Sequence, residues 1–449
     1  MIADFGREKV LLGKDANIVA ASKRIDGFRI YRLLGHAQHL LVESEVKTKS
    51  GNVHRTRLCH AARAFQAETI SVRIPRDPSR TRANLSGVQT CGSIWACPVC
   101  SKRIATQRGK EISRAIDYMT EDGNVAIMVT NTARHGHQYT LKLFKNRFKA
   151  AHRRFVQTRR WKNLKARLGI KHSIKAVEGT WGIENGWHYH QHAILFVSAD
   201  MLAAAADGEF QKWVEDARQL WIECLEKEGL DGIGEIAFDV QADHDVKKTY
   251  LSKLGLDDET SSLDHELSAG HNKTSGGAKI WQLLDKSWQG DVHAGELYQE
   301  WVEAMTGDNW ITFSHGLKEL CGIEEIADEE ASLFDDIEEE VQNETLIEIS
   351  DDEFMPVRKM KKVADLLELA ATTRSAEAVR QWLRMLATQW NNTGAAAERD
   401  RLQAQYKAMD ERWQNWRKIL NKNGGWTELP EAFNELYEAK EALRKRLEL

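Results

Sequence analysis

Trp187-His188-Tyr189-His190-Gln191-His192-Ala193-Ile194-Leu195-Phe196-Val197 is the stretch that decides how this chain folds. Three histidines alternate with other residues and run into an apolar segment. Successive strand side chains point to opposite faces, so His188, His190 and His192 share one face, and two of them can reach a single metal ion. Residues 173–181 read as a second strand, and Gly182-Ile-Glu-Asn-Gly186 carries an Asn-Gly turn signal. These features predict a hairpin of residues 174–181 with 187–197. Glu178, near the middle of its first strand, is then a candidate third ligand, and its carboxylate favours Mg²⁺ or Mn²⁺.

Outward from the hairpin, the pattern is α+β. Asn124-Val-Ala-Ile-Met-Val-Thr130-Asn-Thr132 is an apolar run of strand length with a hydroxyl-bearing end. Residues 139–168 predict one long helix, with Leu141, Phe144, Phe148, Ala151 and Phe155 at helical spacing and Lys/Arg crowding the other face. Residues 200–229 read as helix, and 232–240 as strand. After them comes Asp243-His-Asp245-Val-Lys247-Lys248-Thr-Tyr250-Leu-Ser-Lys253. On a helix Tyr250 and Lys253 are three apart and share a face. Residues 1–27 carry little signal, and residues 28–43 and 69–73 hold short apolar runs.

The cysteines concentrate in Cys91-Gly-Ser-Ile-Trp-Ala-Cys97-Pro-Val-Cys100. Cys97-x-x-Cys100 is a knuckle able to wrap two thiolates round a structural Zn²⁺, and Cys91 supplies a third. Cys59 or its neighbour His60 is the candidate fourth. The alternatives are a redox pair or buried apolar cysteines. The basic, helical stretch that follows could be held against phosphates by such a knuckle, or merely stapled by it.

Charge divides the chain. Residues 101–176 hold 19 Lys/Arg against 4 Asp/Glu, whereas 322–354 hold 15 Asp/Glu and no Lys or Arg. A polyanion is the expected partner of the first stretch, and an acidic linker the expected form of the second. No signal peptide and no apolar run of about 18 residues is present, so the expectation is a soluble, cytoplasmic protein with no membrane partner and reduced or metal-bound cysteines. With 449 residues, 42% hydrophobic, the chain has room for two or three domains.

Taken in order, the motifs resemble the plasmid rolling-circle replication initiators, the Rep branch of the HUH endonucleases. The resemblance covers most of residues 28–323. Cys91…Cys97-Pro-Val-Cys100, Met128-Val-Thr-Asn-Thr132 with His135, Asn185-Gly-Trp-His-Tyr-His-Gln-His192 and Tyr250-Leu-Ser-Lys253 stand in the family's order. Trp281-Gln-Leu-Leu284 and Thr306-Gly-Asp-Asn-Trp-Ile-Thr-Phe-Ser314-His-Gly-Leu317 resemble its C-terminal signature.

The resemblance implies an antiparallel-sheet HUH nuclease domain with the metal pair His190 and His192 on a central strand and a nucleophile, Tyr250, on a facing helix. His188 becomes a neighbour or spare ligand. The implied activity is a nick in single-stranded or extruded origin DNA. It leaves a 5′-phosphotyrosine link and a free 3′-OH that primes a polymerase, and the strand is later rejoined. The ion would stabilise charge on the phosphate, and with Lys253 would help a tyrosine whose ordinary pKa is about 10.

Two departures stand out. Tyr189 replaces a common proline. Val246 stands where some branches place a glutamate four residues before the tyrosine, with Asp245 one residue earlier, about 100° round a helix. Alternatives are a relaxase or single-strand transposase of the same superfamily, or a non-catalytic zinc DNA-binding protein.

The expected domains are 1–120 with the zinc knuckle, 121–321 as nuclease with its C-terminal extension, 322–356 as acidic linker, and 357–449 as an α-helical hairpin or bundle. The hairpin is expected to break at Asn391-Asn-Thr-Gly394 and Asn423-Gly-Gly425. Within the linker, Glu330-Ala-Ser-Leu333-Phe334 resembles peptides that dock on bacterial sliding clamps, without their usual glutamine; a sliding clamp or another host replication protein such as a helicase is a candidate partner.

Overall fold

The computed structural model describes residues 16–43, 54–80, 82–205, 208–232, 234–242, 246–254, 277–333, 342–422, 436 and 439–440; side chains at 16–27, 42–43, 253, 393–400 and 415–422 are excepted. The chain divides into a large unit, residues 1–351 with 361–374, and a smaller one, 352–360 with 375–449. The boundary expected near residue 120 therefore falls inside the large unit.

In chain order the large unit contains α1 (Ala16–Glu43), β1 (Ile70–Pro75), β2 (Asn84–Ser86), α2 (Pro98–Glu121) and β3 (Asn124–Asn131). There follow α3 (Leu141–Gln157), α4 (Arg159–Arg167), β4 (Ser173–Gly182), β5 (Gly186–Ser198), α5 (Ala199–Ala204), α6 (Glu209–Lys227), β6 (Phe238–Gln241) and α7 (Val246–Lys253). Beyond these lie α8 (Ile280–Trp288), α9 (Val292–Met305), β7 (Ile311–Phe313), α10 (Leu317–Leu320), α11 (Asp328–Ala331) and β8 (Asn343–Ile349).

A five-stranded antiparallel sheet in the order β6-β3-β5-β4-β7 puts the histidine strand at its centre. The expected hairpin forms, with Glu178 directly opposite His190 and Trp181 opposite Trp187. Gly186 closes the turn at φ 67°, a left-handed conformation open to glycine without a Cβ penalty.

β5 is buried on both faces, because each face carries a helical layer. Tyr189, Leu195 and Val197 point to one side, where Phe144, Phe148 and Phe155 of α3 and Trp213 and Trp221 of α6 pack. Ile194 and Phe196 point to the other side, where Ile112, Ile116 and Met119 of α2 and Val246, Tyr250 and Leu254 meet them. Val246 and Tyr250 are one helical turn apart on the buried face of α7. Val246 is thus a core residue, which accounts physically for an apolar side chain at that position.

Four expectations need correction. First, residues 139–168 form two helices. Thr158 is extended (φ −63°, ψ 147°), and its hydroxyl accepts from the Trp161 N–H at 3.1 Å, starting α4 afresh.

Second, the acidic stretch is not a linker at either described end. α11 lies against α2, with Asp328 2.8 Å from Arg108 and the Ser332 carbonyl accepting from Arg103 at 3.2 Å. β8 pairs with β1 in a three-stranded sheet of order β2-β1-β8. Its Asn-Glu-Thr-Leu-Ile-Glu-Ile pattern buries Ile347 and Ile349 while Glu344 and Glu348 face out, so the charge is carried on a strand's exposed face.

Third, α13 (Val363–Thr373) belongs to the large unit, where Glu368 pairs with Arg32 of α1 at 2.6 Å. α12 (Asp351–Lys359) precedes it, mostly in the smaller unit.

Fourth, Asn391-Asn-Thr-Gly394 does not break a helix, for α14 runs unbroken from Ala376 to Lys422. A single glycine costs a helix only about 1 kcal/mol, which forty-odd helical neighbours absorb. The second expected break, 423–425, lies outside the described residues. Within the smaller unit Lys440 pairs with Asp410 at 2.5 Å and lies over the Trp413 ring at 4.5 Å.

Among the described residues no helix is long and apolar enough to cross a membrane.

Candidate functional site

Two groups of side chains gather with the spacing of metal ligands. The first is Cys59, Cys91, Cys97 and Cys100. Cys59 follows a 3₁₀ turn at Arg55–Leu58, while Cys97 caps the start of α2 and accepts from the Cys100 N–H at 3.4 Å. The Sγ atoms of Cys59 and Cys100, and of Cys97 and Cys59, are 3.5 Å apart, and those of Cys91 and Cys100 are 3.7 Å apart.

Four sulfurs about 2.3 Å from one ion at tetrahedral angles would be separated by about 3.8 Å, so the cluster fits such an ion. All four are buried, at 4% exposure or less. Of the two candidates for the fourth place, the structure puts Cys59 in the cluster. His60 turns aside at φ 49° and packs edge-on against Tyr31, and neither of its buried ring nitrogens has a partner. Burial holds the His60 imidazole down at about 3, so it is neutral at ordinary pH.

The second group is Glu178, His190 and His192, brought together by the β4–β5 register. The two Nε2 atoms are 3.1 Å apart, and Glu178 Oε2 lies 3.3 Å from His190 Nε2 and 3.4 Å from His192 Nε2. Ligands about 2.0–2.2 Å from one ion and roughly 90–110° apart are separated by about 2.8–3.6 Å, so the two nitrogens and one oxygen are spaced as ligands of one ion would be.

His192 Nδ1 lies 2.9 Å from the Thr130 hydroxyl across the β3 register, which fixes the ring and leaves Nε2 toward the site. Burial opposes ionisation of Glu178. The contacts with His190 and His192 and the charge of Lys279 outweigh it and hold the carboxyl well below the usual carboxylate range.

Tyr250 enters from α7 on the same sheet face. Its ring is fully buried and its hydroxyl has no hydrogen-bond partner. Burial, with Glu178 nearby, pushes its pKa far above the ordinary value. A buried hydroxyl left without a partner costs about 1–3 kcal/mol.

His188 does not join the three ligands. Its ring stacks on His190 at 4.5 Å and on His135 at 4.5 Å, forming a ladder that ends at the site. Burial and the neighbouring imidazoles lower His188 to about 3.

Lys253 closes α7, and its side chain lies outside the described residues, as do Asp245 and Phe334. Leu333 is exposed just after α11. Thr130 is a contribution that cross-strand register creates, and His135 reaches His188 from the segment that follows β3. The hydroxyl-ended strand 124–132 was the only sequence sign of the first.

Residues 82–228 match the family model described as "Replication protein". That span contains Cys91, Cys97, Cys100, Glu178, His190 and His192, and stops short of Tyr250. Among curated proteins, the chain is 26% identical over 300 residues to "Protein rep" of Streptomyces lividans, covering 53% of this chain and 65% of that relative. It is 30% identical over 135 residues to a "Neomycin resistance protein" of Streptomyces cyanogenus, covering 25% of this chain and 31% of that relative. The chain thus spans less than two thirds of the length of each. No solved structure matches it. The resemblance to plasmid rolling-circle replication initiators drawn from the motifs is borne out by the family match and by the first relative.

Proposed function

We propose that the chain initiates rolling-circle replication by nicking single-stranded origin DNA with Tyr250. The observation that carries this reading is the fully buried, unpartnered Tyr250 hydroxyl on the sheet face where Glu178, His190 and His192 converge. The replication protein match supports the setting.

Three ligands with open positions suit Mg²⁺ or Mn²⁺, and four thiolates suit a closed structural Zn²⁺. A divalent ion held by Glu178, His190 and His192 supplies positive charge against a phosphate and against a forming tyrosinate.

In the proposed step Tyr250 Oη forms a bond to phosphorus and the P–O3′ bond breaks. The tyrosine proton is lost and the departing 3′ oxygen gains one, leaving a 5′-phosphotyrosine diester and a free 3′-OH. One diester replaces another, so the bond energy is kept for rejoining. The rigid β4–β5 hairpin fixes the ligands, Thr130 orients His192, and α7 delivers the tyrosine from the facing layer.

The test is cleavage of single-stranded oligonucleotides tiled across the DNA flanking the reading frame. We expect Mn²⁺-dependent cleavage that leaves an extendable 3′ end, absent in Tyr250→Phe although that variant melts at the wild-type temperature or above. Equal cleavage by wild type and Tyr250→Phe would overturn the assignment, and no cleavage by either would favour the non-catalytic DNA-binding alternative.

A further inference from the structure

The basic stretch 101–176 divides into two parts with different fates. On α2 the cations are engaged internally. Arg108 pairs with Glu111 at 2.6 Å and Asp328 at 2.8 Å, and Arg114 donates to the Cys321 carbonyl at 3.0 Å. Arg55, beside the cysteine cluster, pairs with Glu329. That acidic segment sits so close that a Cβ on Gly92 would lie 2.7 Å from the Glu329 Cα.

Helices α3 and α4 carry eleven Lys/Arg and no Asp or Glu. Carboxylates from other elements reach six of them: Glu303 (Lys142), Asp308 (Lys145 and Lys149), Glu228 (Arg154), Glu223 (Arg160) and Asp216 (Arg167). Arg147 donates to the Gly229 carbonyl. Among the described residues no ion pair reaches Arg153, Arg159, Lys162 or Lys165; the first three are exposed and the last half-buried.

The side of the sheet matters. Phe148 of α3 meets Tyr189 edge-on at 5.3 Å, and Trp161 of α4 packs on Phe155 at 4.5 Å. Tyr189 lies between His188 and His190 in the strand and therefore points away from their face. The cations of α4 thus lie behind the sheet and a packed aromatic layer, opposite Tyr250. A phosphate at His190 and one at Arg159 belong to different stretches of nucleic acid. The aromatic side chains of α3 and α4 themselves, Phe144, Phe148, Phe155 and Trp161, are all buried, so these two helices offer bases no stacking platform. Single strands are held through stacked bases as well as phosphates, whereas a duplex needs only the phosphate contacts.

We propose that Arg153, Arg159, Lys162 and Lys165 form a second nucleic-acid surface. It holds duplex DNA by its phosphates, without base readout, while the opposite face works on a single strand. The pairing with a nicking face rests on the function proposed above; the duplex surface itself does not.

The test uses the full chain, a fluorescent 30-base-pair duplex of arbitrary sequence and a 30-nucleotide single strand. It is run in the Tyr250→Phe background, so that cleavage plays no part. We expect Arg153→Gln/Arg159→Gln/Lys162→Gln to weaken duplex binding at least 10-fold and to lower the slope of log K against log salt by about 3, roughly one unit per lost phosphate contact. Arg153→Lys/Arg159→Lys/Lys162→Arg, which keeps the charge, should bind like its parent and guards against a folding defect. An unchanged duplex slope in the Gln variant, or a loss confined to the single strand, would overturn the proposal.

Discussion

The two ligand clusters occupy one structural unit and are built in opposite ways. Four cysteine sulfurs close on one another with no side open, and every one is buried. Glu178, His190 and His192 supply only three donors, with Glu178 partly exposed and a tyrosine hydroxyl without a partner on the same face. A closed set of soft ligands holds a fold together, whereas an incomplete set of nitrogen and oxygen ligands leaves positions for water or substrate. The contrast is the one a structural and a reactive centre would show, and it is drawn without reference to any relative.

The contrast is most exposed to failure at the cysteines. Cys97→Ser removes one ligand and the helix cap that Cys97 gives α2, and is expected to cost several kcal/mol, because metal-binding energy at structural thiolate sites is folding energy. Thermal unfolding together with zinc content by elemental analysis checks this; a variant that loses zinc but melts normally would show that the cluster holds nothing together.

Glu178→Gln should leave the melting temperature and the zinc content near wild type and weaken Mn²⁺ binding by more than about 100-fold, since even outer contacts of a metal site are worth about 10–100-fold. Calorimetric titration reads this, and unchanged Mn²⁺ affinity removes Glu178 from the site. Thr130→Val, which takes away only the hydroxyl beside His192 Nδ1, should weaken Mn²⁺ binding by about 10-fold with little effect on folding. A loss as large as that of Glu178→Gln would mean that the ring orientation, not the donor set, governs the site.

Much of the second cluster was legible in the sequence because a strand has period two. Once residues 187–197 are a strand, His190 and His192 share a face; that Glu178 stands directly opposite His190 depends on the three-residue turn 183–185, which the Asn-Gly signal alone did not specify. The cysteine cluster was legible for Cys91, Cys97 and Cys100 from local spacing. The choice between Cys59 and His60 was not, because it turns on the backbone at His60, whose φ of 49° aims its side chain elsewhere.

The expectations that fail do so for opposite physical reasons. Fifteen acidic residues in 322–354 read as linker, yet Glu344 and Glu348 are the outward positions of a strand. The unbroken helix through Gly394 shows the converse, a local turn signal overridden by its surroundings. The sidedness of the basic residues was out of reach altogether, since it depends on which helix packs on which face of the sheet.

The central claim is that Tyr250 attacks a phosphate beside Glu178, His190 and His192. Its most direct test is mass analysis of the protein after incubation with Mn²⁺ and the single-stranded oligonucleotide it cleaves. The account predicts one oligonucleotide, joined through its 5′ phosphate, on the peptide that contains Tyr250, formed only with metal and absent in Glu178→Gln. An adduct on any other residue, or cleavage with no covalent species at any time, would contradict it.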